Sequence, residues 1–236
     1  MNLSISKKSI VKSLSIVVIV LILLSITGQL YKYLINDGEN RYIFDFLNLD
    51  KEHNLPTLYS TLSLYFCGIL LMIISFGVRF NKEKFFLHWC FLGLTFLYLG
   101  TDEILVLHEQ IISPLRSVIN TTGFLYITWV IPALILVLFF ALAYIKFLKA
   151  LPAKTRNWFI VSGIVFVLGA VGLEVIGSNY MYNYGQDSLS YSFITTVEET
   201  LEMTGILMFI NTLLDYLSTY YYELNIVFRI PDEDDN

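Results

Sequence analysis

The chain has 236 residues, of which 56% are hydrophobic and only 15% are charged, and its mean hydropathy is +0.66. Soluble domains carry about 25% charged residues, so this composition excludes an ordinary water-soluble protein and favours a polytopic membrane protein. The net charge of −5, without a basic stripe, gives no indication of nucleic-acid binding, and we expect no nucleic-acid partner.

Six apolar segments follow one another along the chain, each close to the ~20 residues that cross the hydrocarbon layer as a helix. They are residues 14–30, 58–78, 85–107, 124–147, 158–176 and 192–217. We expect the first to be an uncleaved span, because no small-x-small cleavage site follows it. Pro132 predicts a kink in the fourth span. The pattern therefore predicts an all-α bundle of six transmembrane helices, a single integral-membrane domain over residues 1–236, with an acidic tail at 229–236.

The distribution of basic residues predicts the orientation in the membrane. Eleven of the fifteen basic residues fall on one side if the N-terminus is inside, and four fall on the other. The inner ones are Lys7, Lys8, Lys12, Arg79, Lys82, Lys84, Lys146, Lys149, Lys154, Arg156 and Arg229, and the outer ones are Lys32, Arg41, Lys51 and Arg116. Since cytoplasmic loops are enriched in Lys and Arg, we expect both termini in the cytoplasm and the protein in the plasma (inner) membrane.

Seven carboxylates and one histidine lie within or beside the apolar segments. They are Asp102, Glu103, His108 and Glu109 at the end of span three, Glu174 in span five, and Glu198, Glu199 and Glu202 in span six. Ionisable groups at membrane depth are costly and usually functional. The predicted topology brings all of them to a similar depth, from the outer boundary down to roughly 15 Å, and a continuous helix would place Asp102 and Glu109 within about 20° of each other. We therefore predict one acidic pocket between spans three, five and six, open to the outer face.

Crowded carboxylates in a low dielectric cannot all stay ionised, so several are protonated or a cation neutralises them. The first hypothesis is a divalent metal ion, because carboxylate oxygens with one imidazole suit ions such as Mn, Fe, Zn, Mg or Ca. Its predicted ligands are Asp102, His108, Glu109, Glu174, Glu198 and Glu202. Such an ion can activate water, and Glu199 and Glu103 are then the candidate catalytic carboxylates of a metal-dependent membrane enzyme. A small-molecule or lipid substrate would arrive from the outer side.

Two other interpretations use the same residues. A proton- or cation-coupled transporter would use the acids as relay groups or ion ligands. An intramembrane protease is suggested by Glu198-Glu199, which is similar to the start of the Glu-Glu-x-x-x-Arg motif of the CAAX-protease-like family. Met203 stands where that motif has arginine, and no later Phe-x-x-x-His or His-x-x-x-Asn follows.

Four side chains outside the acidic clusters are candidates to support the pocket: Thr57 and Ser60 at the outer start of span two, and Tyr126 and Trp129 on span four. Tyr126 and Trp129 start span four at the same depth as the acids. His53, beside Glu52, lies in an outer loop that we expect to be solvated unless it folds over the pocket.

Overall fold

The computed structural model describes residues 6–35 and 45–221, and every regular element within these two ranges is helical. This confirms the all-helical prediction for that part of the chain. The predicted acidic tail at 229–236 lies outside the described residues.

Ten α-helices make up the described part, and a helix lies over each of the six predicted spans. They are α1 (Lys7–Ile35), α2 (Leu55–Phe80), α3 (Phe86–Leu105), α4 (Leu107–Gln110), α5 (Ile112–Val118), α6 (Val130–Ala143), α7 (Ile145–Ala150), α8 (Ala153–Val167), α9 (Glu174–Tyr184) and α10 (Leu189–Tyr220). A 3₁₀ turn, Gly123–Leu125, precedes α6, and a π-helical turn, Leu168–Leu173, joins α8 to α9.

Three helical stretches are long and apolar enough to cross a membrane: Lys7–Leu34, Leu55–Phe80 and Ala153–Tyr184. Helix α3 followed by α4 and α5 makes a fourth if the pair, bent by 69°, counts as one broken span. The apolar helix α6 has only 14 residues. By length and composition the structure therefore supports three to four spans.

Helices α2 and α3 pack closely because small residues line their contact. A Cβ atom added to Gly68 would lie 2.6 Å from the Leu97 side chain and 3.2 Å from the carbonyl oxygen of Gly93. The start of α2 is fixed by Asn54, whose side chain accepts a hydrogen bond from the Thr57 N–H at 3.1 Å. This cap satisfies a backbone donor that the helix leaves free.

An aromatic cluster fills one end of the bundle. The Trp89 ring lies edge-on to Phe147 and Phe159, with centroids 5.0 and 5.7 Å away. At the same end, the Asp215 carboxylate accepts hydrogen bonds from Lys7 at 2.6 Å and Lys154 at 2.7 Å. The first turns of α1 and α8 and the last turns of α10 therefore lie together, as antiparallel neighbours require.

The predicted kink at Pro132 is wrong. Helix α6 begins at Val130, so Pro132 lies in its first turn. Backbone N–H groups in the first turn make no hydrogen bond within the helix, so the N–H that proline lacks is not needed there. The helix is interrupted instead at Tyr144, between α6 and α7.

Candidate functional site

A sharp bend at Val106 organises the site. Val106 has φ 51° and ψ 45°, the left-handed conformation, and its N–H bonds to the carbonyl oxygen of Asp102. A β-branched residue in this region is an outlier, which the surrounding structure must stabilise. The continuous helix assumed in comparing Asp102 with Glu109 is therefore wrong, because α3 ends at Leu105. The chain turns by 69° between α3 and the stretch that contains α4 and α5.

The bend brings His108 onto Asp102. The imidazole Nδ1 lies 2.8 Å from the Asp102 Oδ2, and both side chains are mostly buried. The Trp129 ring packs against the imidazole, with centroids 4.9 Å apart. A carboxylate on Nδ1 fixes the tautomer and orientation of the ring, and Nε2 is left for a ligand.

Three groups at the same place have the spacing of a metal site. One ligand atom each from Glu52, His108 and Glu109 lie within 4.8 Å of one another. Atoms that bind a common ion at about 2.0–2.6 Å are at most about 4–5 Å apart, so these three fit one ion with little movement. Within residues 6–35 and 45–221, no other set of three or more such residues meets this spacing.

The triad borders an open cleft of ≈ 560 Å³. The cleft is lined by Glu52, His53, Leu105, Val106, Glu109 and Gln110. Glu52 and Glu109 are exposed, whereas His108 is half-buried beneath them. A ligand entering the cleft would reach the carboxylates first.

Glu52 is held in place by the buried segment that precedes it. The Leu49 N–H donates to the Ser25 hydroxyl at 2.9 Å, and the Gln29 amide donates to the Asn48 side chain at 2.8 Å. Leu49 itself is 3% exposed and packs between α1 and α10. The loop thus folds into the bundle. The Glu52 side chain is open to the cleft on one side, but the protein buries its carboxyl group on the other sides, and this partial burial raises the pKa of Glu52, with His108 opposing the effect and Glu109 adding to it.

Glu103 and Glu202 face each other two helical turns beyond a ring contact between α3 and α10. Phe96 and Phe209 stack with centroids 4.9 Å apart. Glu103 follows Phe96 by seven residues and Glu202 precedes Phe209 by seven, so each glutamate lies on the same side of its helix as its phenylalanine. Their charges interact, and Glu199 interacts with both. The three side chains are half-buried.

Glu174 and Glu198 form a second contact, between helices α9 and α10. The two carboxyl groups interact with each other, and the Glu198 side chain is buried. Glu174 also accepts a hydrogen bond from the Trp129 indole N–H at 3.1 Å. The expectation that a residue at the start of span four supports the acids holds for Trp129, whereas Tyr126 stacks under Arg116.

The π-helical turn before Glu174 packs directly on α10. A Cβ atom at Gly169 would lie 2.8 Å from the Glu198 carbonyl oxygen and 2.8 Å from the Glu202 Cγ. Glycine therefore allows the two backbones to approach at the level of the acids. π turns occur frequently at functional sites.

The predicted site residues form two groups. Asp102, His108 and Glu109 are joined by Glu52, which the sequence did not mark as a ligand. The second group consists of Glu103, Glu174, Glu198, Glu199 and Glu202, of which Glu198 is buried and the others are half-buried. The charge of Glu103 interacts with that of Glu52, which links the groups. That Glu174, Glu198 and Glu202 bind the metal, and that Glu199 and Glu103 are catalytic, stays a prediction.

Residues 14–217 match the family model described as "Domain of unknown function (DUF8692)", and the chain belongs to this family. The comparisons with curated proteins and with solved structures found no match.

Proposed function

For this member of the DUF8692 family, we propose a six-span membrane protein, with both termini in the cytoplasm, that binds a divalent metal ion at its outer face. Helices over all six apolar segments support the span number. The contacts of Asp215 with Lys7 and Lys154 support a common side for the ends of α1, α8 and α10. The excess of basic residues at that end supports a cytoplasmic location.

One observation carries the metal proposal: the Glu52–His108–Glu109 triad with Asp102 behind the histidine. Ligating histidines almost always donate their second ring N–H to a carboxylate, a carbonyl or water. The arrangement thus combines three ligands with the outer partner that a metal-bound histidine needs. A random cluster of exposed acids would not orient the imidazole.

Metal-dependent hydrolysis is the reaction class that this site fits best. Three protein ligands leave coordination positions free for water and substrate, and a bound ion can lower the pKa of water to about 7. Glu103 and Glu199, reached through Glu52, are the proposed proton-accepting groups. The open cleft gives access from the outer side.

Elemental analysis of the detergent-purified protein tests this proposal. After treatment with a chelator and re-addition of Mn²⁺ or Zn²⁺, we expect one ion per chain in the wild type. His108→Ala should lose it, and Glu52→Gln and Glu109→Gln should bind it more weakly and retain less than one ion per chain, whereas Glu83→Gln, at the opposite end of the bundle, should retain it. A wild type without stoichiometric metal, or triad variants that bind like the wild type, would show the proposal to be wrong.

Coupled cation transport is the second candidate function. The observation that favours it is the series of carboxylates that continues inward from the triad through Glu103 to Glu202 and the Glu174–Glu198 pair. Such a series can pass protons or cations. The aromatic cluster around Trp89 fills the inner end, which makes this the less favoured function. pH-dependent flux in proteoliposomes, lost in Glu198→Gln, would support transport.

A further inference from the structure

An exposed apolar stripe on α3 leads into the cleft. Its members recur at intervals of four, three, four and seven residues, which keeps them within about 60° on one helix face. They are Leu87, Phe91, Leu94, Tyr98 and Leu105, each at least 51% exposed. On a membrane-spanning helix such a stripe faces the acyl chains of lipids, which are as apolar as leucine.

Leu105 belongs to both the stripe and the cleft. It is the last residue of α3 and lines the cleft beside Val106 and Glu109. From Leu94 to Leu105 the helix rises about 16 Å at 1.5 Å per residue, which is roughly half of the ~30 Å hydrocarbon layer. The apolar face of α3 from Leu94 to Leu105 is therefore about as long as one leaflet is thick, and it ends beside the proposed metal ligands.

We propose that the metal site takes a phospholipid of the outer leaflet, whose acyl chain lies along Leu94, Tyr98 and Leu105. This inference rests on the proposed function. The lipid phosphate is a hard anionic oxygen ligand, which a divalent ion prefers, and the ion offsets the charges of Glu52 and Glu109. A water-soluble substrate would have no use for an apolar track that enters the cleft from the side.

A second apolar groove supports this choice by contrast. A cavity of ≈ 500 Å³ between α1 and α10 is lined by Ile26, Gln29, Leu30, Leu189, Ser190, Phe193, Ile194 and Thr196. It has no carboxylate or imidazole in its lining, and the polar atoms of Gln29 and Thr196 bond to each other. Lipid can fill it, but nothing there would hold a headgroup. Of these two clefts, only the one at the end of the α3 stripe combines an apolar surface for an acyl chain with charged groups that could bind a headgroup through a metal ion.

Photolabelling of the full chain in lipid nanodiscs tests the inference. The probe is a phosphatidylcholine that carries a diazirine in one acyl chain, and labelled peptides are mapped by mass spectrometry with and without Mn²⁺. With Mn²⁺ we expect several-fold more labelling of the segment 94–105 than of the equally exposed stripe on α6 at Ile135, Leu138 and Leu142. His108→Ala should abolish this excess.

Matched tryptophan substitutions separate occupancy from folding. Leu105→Trp should fill the cleft wall and remove the excess labelling, whereas Leu138→Trp, at a similarly exposed leucine on α6, should leave it unchanged. Both variants should elute as monodisperse protein and retain bound Mn²⁺. Retained metal in Leu105→Trp shows that the lost labelling does not reflect a damaged triad.

Three outcomes would overturn the inference. Equal labelling of α3 and α6, or an excess that persists without Mn²⁺ or in His108→Ala, would show ordinary lipid contact. Protection of Leu94 and Tyr98 from the lipid probe, together with a dimer in native mass spectrometry, would show that a second copy covers the stripe. Elemental analysis of the same samples distinguishes the two proposals: with Mn²⁺ bound and no excess labelling only the phospholipid inference fails, and without bound Mn²⁺ both fail.

Discussion

The indole N–H of Trp129 donates a hydrogen bond to the Glu174 carboxylate at 3.1 Å. The same ring packs 4.9 Å from the His108 imidazole. One side chain thus contacts both the outer triad and the Glu174–Glu198 pair. Its two contacts use different parts of the indole, and substitutions can therefore separate them.

Trp129→Phe should keep the ring contact with His108 and lose the hydrogen bond to Glu174. Hydrogen bonds to charged groups contribute about 1.5–3 kcal/mol, so we expect a lower thermal stability and a small loss of metal affinity. Trp129→Ala should lose more affinity, because nothing then supports the imidazole. Mn²⁺ titration and thermal unfolding in detergent measure both effects, with the exposed Trp158→Phe as control. Wild-type affinity in Trp129→Ala would contradict the positioning role.

Asp102→Asn should weaken metal binding without abolishing it. Loss of an outer partner of a ligating histidine typically costs 10–100-fold in metal affinity. Isothermal titration with Mn²⁺ should therefore rank the proteins as wild type, then Asp102→Asn, then His108→Ala. An Asp102→Asn affinity equal to that of the wild type would show that the contact at Nδ1 has no part in metal binding.

Metal affinity should fall as the pH decreases, and it should do so from a higher pH than an ordinary glutamate would require. The pKa of Glu52 is raised, mainly by burial. As the pH falls through that raised value, Glu52 takes up a proton and can no longer bind the ion as a carboxylate. The affinity measured against pH for the wild type and Glu52→Gln tests this, since the variant should lack the Glu52 step. Parallel curves for the two proteins would assign the titration to another group.

Gly169→Ala should destabilise the protein, because the new methyl group would meet the α10 backbone at Glu198. Overpacking of this kind costs about 1–3 kcal/mol, and the shift of α10 should also reduce metal affinity if the second group of glutamates contributes. Gly163→Ala is the matched control on the same span, since its Cβ would meet nothing within 4 Å. We expect Gly163→Ala to be neutral or to stabilise the helix by up to about 1 kcal/mol. Equal melting temperatures for the two variants would count against the close contact.

Val106→Pro should abolish metal binding. Proline holds φ near −65° and has no N–H, so it can adopt neither the φ of 51° nor the bond to Asp102. Val106→Gly adopts the conformation without strain and should retain the ion, at some cost in stability from the lost buried side chain. Retained binding in Val106→Pro would show that the bend does not build the site.

Helical periodicity and topology are enough to predict that acids on different regular helices lie near one another, whereas a single site that contains all of them stays a prediction. Glu103 and Glu202 are such neighbouring acids, since each lies two turns from an aromatic partner in the α3–α10 contact. The position of Glu52 could not be predicted, because its loop is held by long-range hydrogen bonds between Gln29, Asn48 and Thr196. The adjacent His53 was the one local signal that this loop belongs to the site.

Breaks in the helices were the other features that the sequence concealed. Valine at position 106 continues an apolar run, and nothing in the sequence indicates that it has a left-handed conformation. Pro132 predicted a kink, but it lies in the first turn of α6, where it does not disturb the helix. In both places the tertiary contacts determine the backbone conformation. The hydrophobicity pattern predicts neither the left-handed conformation of Val106 nor the start of α6 just before Pro132.

The π-helical turn at Leu168–Leu173 also changes the phase of the span that contains it. One extra residue in a helical turn rotates everything beyond it by about 100° relative to a regular α-helix. The N-terminal half of this span and its C-terminal half therefore present different faces to α10. Deleting a single residue from the turn would restore a regular ladder and swing the Glu174 side chain away from its partners, although every atom of that glutamate would still be present.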